Sequence, residues 1–272
     1  MPTLLPPFTI HQPSTLAEAS EMLEHYGEDA CAYAGGTELL LAMKQGGLRY
    51  SHLVDLKTIP GLNGIDHDNG HLRIGALATH LSLERSPLVQ QQLPVLVDLE
   101  RRVANVRVRA TGTLGGNLCF GEPHSDPATL LLCLDARLET TERTLSLDEF
   151  LVGPYEVGLR PGELLRSVIV PPLRPTQRAS YQKFQVHEFP MLGLALVVDR
   201  ERNEARVAIG SLSPTPRRSP AAEGLVLEGR LDEAAEALAD AAELIDDKDG
   251  SPEYKRHLIH VFLTRAYEVV HD

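Results

Sequence analysis

Two glycine pairs, Gly35-Gly36 and Gly115-Gly116, constrain this chain more than any other feature. The first stands in Ala32-Tyr33-Ala34-Gly35-Gly36-Thr37-Glu38, after a short apolar run and before Leu39-Leu40-Leu41-Ala42-Met43-Lys44. That order predicts a strand, a glycine turn and a helix start. Unpaired N–H groups and the dipole at a helix N-terminus attract phosphate. The second pair stands in Thr111-Gly112-Thr113-Leu114-Gly115-Gly116-Asn117, which runs on through Gly121 and Pro123 to Asp126-Pro127. Glycines let a loop take positive φ and approach a ligand closely, and successive N–H groups in such a loop form a nest for anions. Thr113 and Asn117 add a hydroxyl and an amide donor. Ionised Asp126 only accepts, so it suits a sugar hydroxyl or an exocyclic amine rather than a phosphate.

Each stretch alone is equally well a tight turn. Together they read as two grips on the two phosphates of one dinucleotide. The spacing is not the Rossmann fingerprint, which places three glycines in one loop, and no Gly-Lys-Ser/Thr of a Walker loop occurs. No Ser/His/Asp or Cys/His pattern stands out among the 11 histidines, and no catalytic residue is assigned. His11, His52, His67 and His71 fall in predicted loops and are expected to face solvent.

A formal net charge of −12 argues against a nucleic-acid partner. No apolar run approaches the ~20 residues of a membrane helix. Met1-Pro2-Thr3-Leu4-Leu5-Pro6-Pro7 lacks the basic start and apolar core of a signal peptide. The three cysteines, Cys31, Cys119 and Cys133, have no short paired spacing, which argues against a disulfide framework, a zinc site or an iron–sulfur site. The cytoplasm is the expected compartment.

Taken in order, Thr15-Leu16-Ala17-Glu18 predicts a capping box, and Gly27 should stop the helix it opens. Short strands are predicted at Cys31 to Ala34 and Leu53 to Leu56, and a hairpin around Asp68-Asn69-Gly70. Helical segments follow near Leu81 to Arg85 and Pro94 to Val103, then the second glycine loop and an apolar helix from Ala128 to Cys133. Strands are predicted near Ala136 to Thr140 and Leu164 to Val170, with a helical turn at Ser146 to Phe150. Pro171-Pro172-Leu173-Arg174-Pro175 reads as a boundary. Beyond it come three strands, near Ser180 to Val186, Gly193 to Asp199 and Ala205 to Leu212. Helices are predicted over Leu231 to Leu244 and after Ser251-Pro252-Glu253, an N-cap, an N1 proline and a first-turn acid.

Ala34-Gly35-Gly36-Thr37-Glu38-Leu39-Leu40 resembles the first flavin loop of the FAD-binding subunit of molybdenum hydroxylases, the family of xanthine dehydrogenase and aerobic carbon monoxide dehydrogenase. Gly112-Thr113-Leu114-Gly115-Gly116-Asn117, with Asp126-Pro127 behind it, resembles the second. Ile74-Gly75-Ala76, Gly162-Glu163-Leu164-Leu165 and Ser180-Tyr181-Gln182-Lys183-Phe184 continue the likeness, in the family's order and near its spacing. The resemblance implies an α+β chain. Its two-subdomain FAD-binding module, of vanillyl-alcohol-oxidase-like (PCMH) type, would occupy residues 1–56 and 57–171, and a smaller C-terminal α+β domain residues 172–272. It also implies that Ala32, Tyr33, Ala34, Gly35, Gly36, Thr37 and Glu38 wrap the FAD pyrophosphate from one side. Thr113, Leu114, Gly115, Gly116 and Asn117 would hold it from the other. Asp126 would take a hydroxyl or amine of the nucleotide, Leu165 and Ala104 would pack near the rings, and Lys183 would sit beside flavin N1–C2=O.

Molybdenum cofactor and 2Fe–2S clusters are expected in partners, a large molybdenum subunit and a small iron–sulfur subunit, in a dimer of heterotrimers. Electrons would pass from the clusters through FAD to an external acceptor. One departure stands out: Val186, His187 and Glu188 occupy positions where many relatives carry arginines, which leaves the acceptor open, as the substrate is. Two other readings stay open. One is a self-sufficient FAD-dependent reductase of the same broad fold. The other is a nucleotide-binding or assembly module without redox function.

Overall fold

A computed structural model of the chain describes residues 4–186 and 189–272. Its first sheet is parallel, with strands Thr9–His11, His52–Asp55 and Ala30–Tyr33 in that order. Parallel strands need crossovers, which helices Leu16–Tyr26 and Leu39–Gln45 supply. Thr15 Oγ1 accepts from the Glu18 N–H at 3.1 Å. The Glu18 carboxylate reaches back to the Ser14 N–H at 2.8 Å, not to Thr15, so the capping box is offset by one residue. Gly27 ends the helix with φ of +53°.

The second sheet is antiparallel, in the order Ile65–Asp68, His71–Gly75, Leu165–Val170, Arg137–Thr140, Thr144–Ser146. Asn69 and Gly70, at φ +49° and +81°, make the left-handed hairpin turn that their residue types favour. Between His71–Gly75 and Arg137–Thr140 the chain forms short helices. Two of them, Pro87–Gln92 and Val106–Thr111, are not predicted above; each is capped by its own polar side chain, Ser86 and Asn105.

The second glycine stretch is not a loop. Helix Leu114–Phe120 runs through Gly115 and Gly116, with Thr113 as its N-cap. Glycine costs ~1 kcal/mol in a helix, so composition alone points the other way. Packing explains the exception at Gly115, where a Cβ would lie 2.7 Å from Ala76 Cβ. The residue is glycine because the helix presses on the neighbouring backbone, and positive φ plays no part there.

Residues of helix Asp126–Cys133 are all buried. The helix lies between the second sheet and a third, antiparallel one of Gln177–Gln185, Pro190–Asp199, Glu204–Gly210 and Arg217–Arg218. Strand Pro190–Asp199 is covered on both faces. Ala195 and Val197 join the core around that helix, while Leu192, Leu194, Leu196 and Val198 face helices Pro220–Leu227, Leu231–Ala241 and Pro252–His271. The two sets alternate, as side chains on a strand must. No described helix is long and apolar enough to cross a membrane.

Glu163 ties the turn before strand Leu165–Val170 to the sheet edge. Its sealed carboxylate accepts from Arg143 Nε and Nη2 at 3.0 Å each, from the Thr140 hydroxyl at 2.6 Å and from the Arg160 N–H at 2.9 Å. Burial pushes its pKa up, but these hydrogen bonds together outweigh burial and bring it from 4.5 down to about 2. A folded-state pKa below the unfolded value stabilises the fold above the unfolded pKa, and that stability is lost as pH falls through the folded one. With Arg143 partly solvated, the expected loss between about pH 5 and pH 2 is on the order of 1–2 kcal/mol. Urea titrations across that window should show it, and Glu163→Gln should flatten it. An unchanged acid slope in the variant would show that other groups carry it.

Candidate functional site

Strand Ala30–Tyr33 ends at the first glycine turn, and the N-terminus of helix Leu114–Phe120 faces it. The two meet backbone to backbone at Gly35: a Cβ there would lie 2.8 Å from the Thr111 carbonyl carbon and 2.9 Å from Gly112 Cα. Beside this contact opens a cleft of about 230 Å³.

Its two walls differ in what they offer a ligand. On the first, the backbone N–H groups of Gly35, Gly36 and Thr37 have no acceptor among the described residues, and the Thr37 hydroxyl makes no hydrogen bond there. Gly36 takes φ of +68°. Such a run of open donors is an anion nest. On the second wall the first helical N–H groups are already used: Leu114 donates to Ala78 O and Gly115 to Ala76 O, at 2.9 Å each, and Gly116 to Thr113 Oγ1 at 3.0 Å. The expected backbone nest on this side is therefore absent, because neighbouring strand-end carbonyls and the N-cap take its donors. What remains is side chains. Thr113 keeps its hydroxyl hydrogen. Asn117 Oδ1 accepts from Ser125 at 2.6 Å, and its NH₂ group is left as a donor.

Of the residues singled out by sequence, the cleft brings together Ala32, Ala34, Gly35, Gly36, Thr37, Glu38, Ala104, Thr113, Gly116 and Asn117. Ala104 holds φ of +41°, which is strained for a residue with a side chain. Tyr33 does not line the cleft; its ring lies under Lys57 Nζ, 3.7 Å from the centroid. Leu114 and Gly115 are wall and core behind the cleft, and Leu165 is buried in its strand.

Asp126 and Lys183 stand apart from the cleft and pair with each other. Lys183 Nζ donates to Asp126 Oδ2 at 2.6 Å, and Tyr181 Oη donates to Oδ1 at 2.5 Å. Both partners of the ion pair are more than nine-tenths buried. Burial raises the Tyr181 pKa well above its ordinary value, with the Asp126 charge adding to it, so the phenol stays a donor. The two charges expected to meet the nucleotide and the flavin thus already neutralise one another. Val186 is exposed; His187 and Glu188 lie outside the described residues.

Sequence reasoning missed Cys31, Leu39, His80, Val103, Val108, Cys119 and Phe120, which complete the lining. Most are small or apolar, with no signal beyond adjacency to the loops. Burial pushes the Cys31 thiol up to about 11 and the Cys119 thiol up to about 12, so both are poor nucleophiles at neutral pH. Among the described residues no group of histidine, cysteine and carboxylate side chains is arranged to hold a metal ion.

Residues 6–173 match a family model described as the FAD binding domain in molybdopterin dehydrogenase, and residues 181–270 match one described as the CO dehydrogenase flavoprotein C-terminal domain. The chain is 31% identical to the carbon monoxide dehydrogenase medium chain of Hydrogenophaga pseudoflava, over 97% of each chain. It is 30% identical to a putative xanthine dehydrogenase FAD-binding subunit of Escherichia coli, over 94% of this chain and 93% of the other. A solved structure of the Hydrogenophaga pseudoflava carbon monoxide dehydrogenase that lacks the Mo-pyranopterin moiety of the molybdenum cofactor superposes with a TM-score of 0.93. That match has 29% identity and covers 98% of each chain.

Proposed function

The chain belongs to the FAD-binding subunits of the molybdenum hydroxylases, and from that premise we propose that it is the electron-transfer subunit of a heteromeric enzyme of this kind. In this reading it takes electrons from iron–sulfur clusters of a small partner subunit, fed by a large molybdenum subunit, and releases them to an external acceptor. Bound FAD supplies the two-electron redox chemistry; this chain supplies binding, orientation and the local field.

The observation that carries the reading is the run of open N–H donors at Gly35, Gly36 and Thr37, faced by the Thr113 hydroxyl and the Asn117 amide across the cleft. These are the donors a pyrophosphate needs. The volume of about 230 Å³ is below the ~300–1,000 Å³ of pockets that enclose a drug-sized ligand. The cleft thus suits the middle of a dinucleotide, with its two ends running outward. The three cysteines, all free, suit a reducing compartment and are one short of a four-thiolate cluster. A partner must therefore hold the clusters, and an assembly as a dimer of heterotrimers in the cytoplasm fits this requirement.

The purified full chain should bind FAD non-covalently, since neither cleft thiol is activated. Acid precipitation should leave the yellow colour in the supernatant, and colour in the pellet would refute non-covalent binding. A tagged chain recovered from its host should bring down an iron–sulfur and a molybdenum subunit. A lone flavoprotein with full substrate-oxidising turnover would instead establish the self-sufficient reductase, and a chain that never takes up FAD would establish the assembly module.

A further inference from the structure

The cleft has a shortage of positive charge. A pyrophosphate brings two negative charges, and among the described residues neither lysine nor arginine lines the cleft. Lys57 is the cation at the first loop, but its ammonium is held by Asp55 at 2.6 Å and by Ala34 O at 3.0 Å, outside the cleft. Backbone donors serve one wall and are used up on the other. Among the described lining side chains, only His80 is able to carry a positive charge.

His80 is also built in with care. Its N–H donates to Gly112 O at 3.1 Å, which fixes it against the second wall just before Thr113. A Cβ on Gly112 would lie 3.3 Å from both His80 Cδ2 and Thr37 Oγ1, so the ring sits where the two walls meet. Nδ1 is 2.8 Å from Glu100 Oε2, and the Glu100 side chain is wholly buried. The other carboxylate oxygen, Oε1, is buried with no hydrogen-bond partner, whereas His80 Nε2 has no protein partner among the described residues and is not sealed off in the same way. A buried carboxylate with one hydrogen bond is costly unless a cation compensates it. Packing alone would be better served by an apolar residue.

We infer that His80, backed by Glu100, is the positive group that faces the pyrophosphate. Glu100 accepts from Nδ1–H and fixes the ring, as carboxylates do behind functional histidines. Nε2–H then donates to a phosphate oxygen, a charge-assisted bond about twice as strong as a neutral one. Between Glu100 and the phosphate the imidazolium is flanked by negative charge on both sides, so phosphate binding and the buried acid support each other. Glu100 acts only through His80 and is a positioning residue.

This inference rests on the FAD reading, and the test separates the two. FAD is titrated into the stripped full chain by fluorescence quenching, and ³¹P NMR is recorded on the saturated complex. His80→Ala should weaken FAD about ten-fold or more, the scale of a lost hydrogen bond to a charged group, and should move a pyrophosphate resonance. His80→Gln, a donor without charge, should fall between. Glu100→Gln keeps an acceptor for Nδ1–H but removes the charge, and should also weaken FAD. A folded His80→Ala chain with affinity within about two-fold of the parent and unmoved ³¹P resonances would overturn the inference. Should that variant not fold, parental affinity in Glu100→Gln overturns it equally. A parent chain that binds no FAD would instead refute the reading beneath it.

Discussion

Gly35→Ala is expected to abolish FAD binding by the full chain and to lower its melting temperature by several degrees. Gly35 is not among the residues with positive φ, so an alanine meets no backbone penalty there. The obstacle is space. The new methyl would lie 2.8 Å from the Thr111 carbonyl carbon and 2.9 Å from Gly112 Cα, and closer still to the Thr111 oxygen. Those are backbone atoms, and no side-chain rotamer change relieves them. Either the first glycine turn or the chain before Thr113 must move, and the two walls of the cleft separate. Overpacking of this kind costs ~1–3 kcal/mol or more, and ~1 kcal/mol corresponds to about 2–4 °C in a chain of this size class. Binding suffers more than stability, since donors on opposite walls must meet one pyrophosphate within hydrogen-bond tolerance. Gly46→Ala is the control. It carries φ of +82° with nothing within 4 Å of a built Cβ, so it should cost ~1 kcal/mol and leave FAD affinity intact. FAD titration and thermal melts of the two variants decide the point. A Gly35→Ala chain with parental affinity would show that the walls are free to part without consequence.

That contrast explains what was legible in the sequence. Local signals with a local cause were read well: Gly27 as a helix stop, the Asn69-Gly70 turn, the Ser251-Pro252 start of the last helix. So was the strand whose residues alternate, expected near Ala136 to Thr140 and found at Arg137–Thr140. The second glycine stretch reads as a loop, and is not one, because glycine has two uses, conformational freedom and closeness, and the letters do not separate them. At Gly115 and Gly116 closeness decides, inside a helix. His80 was illegible for a different reason. Its partner Glu100 stands 20 residues away, and a lone histidine at the start of a short helix carries no pattern. The same limit hides the Lys183–Asp126 pair, 57 residues apart, since nothing in the sequence says that the two side chains meet.

Lys183→Ala should therefore act first on stability. In the folded chain Asp126 is 7% exposed and its carboxylate is compensated by the Lys183 ammonium at 2.6 Å. Removing the ammonium leaves a buried charge with only the Tyr181 hydroxyl as its donor among the hydrogen bonds described. Breaking a buried pair from one side typically costs ~3–5 kcal/mol. Asp126 sits in the first turn of helix Asp126–Cys133, which lies between two sheets, so the strain falls on the middle of the molecule. Replacing both partners removes the uncompensated charge, and Lys183→Ala/Asp126→Asn should recover most of the loss. Any effect on the flavin's potential is correspondingly small, since a cation paired at 2.6 Å with a carboxylate projects little net field. Urea denaturation of the parent, the two single variants and the double variant gives the coupling directly. A large negative interaction energy is expected, with the double variant far more stable than the sum of the singles. Additive losses, or a Lys183→Ala chain as stable as the parent, would mean that Asp126 is not held by Lys183. The lysine would then be free to turn toward the flavin.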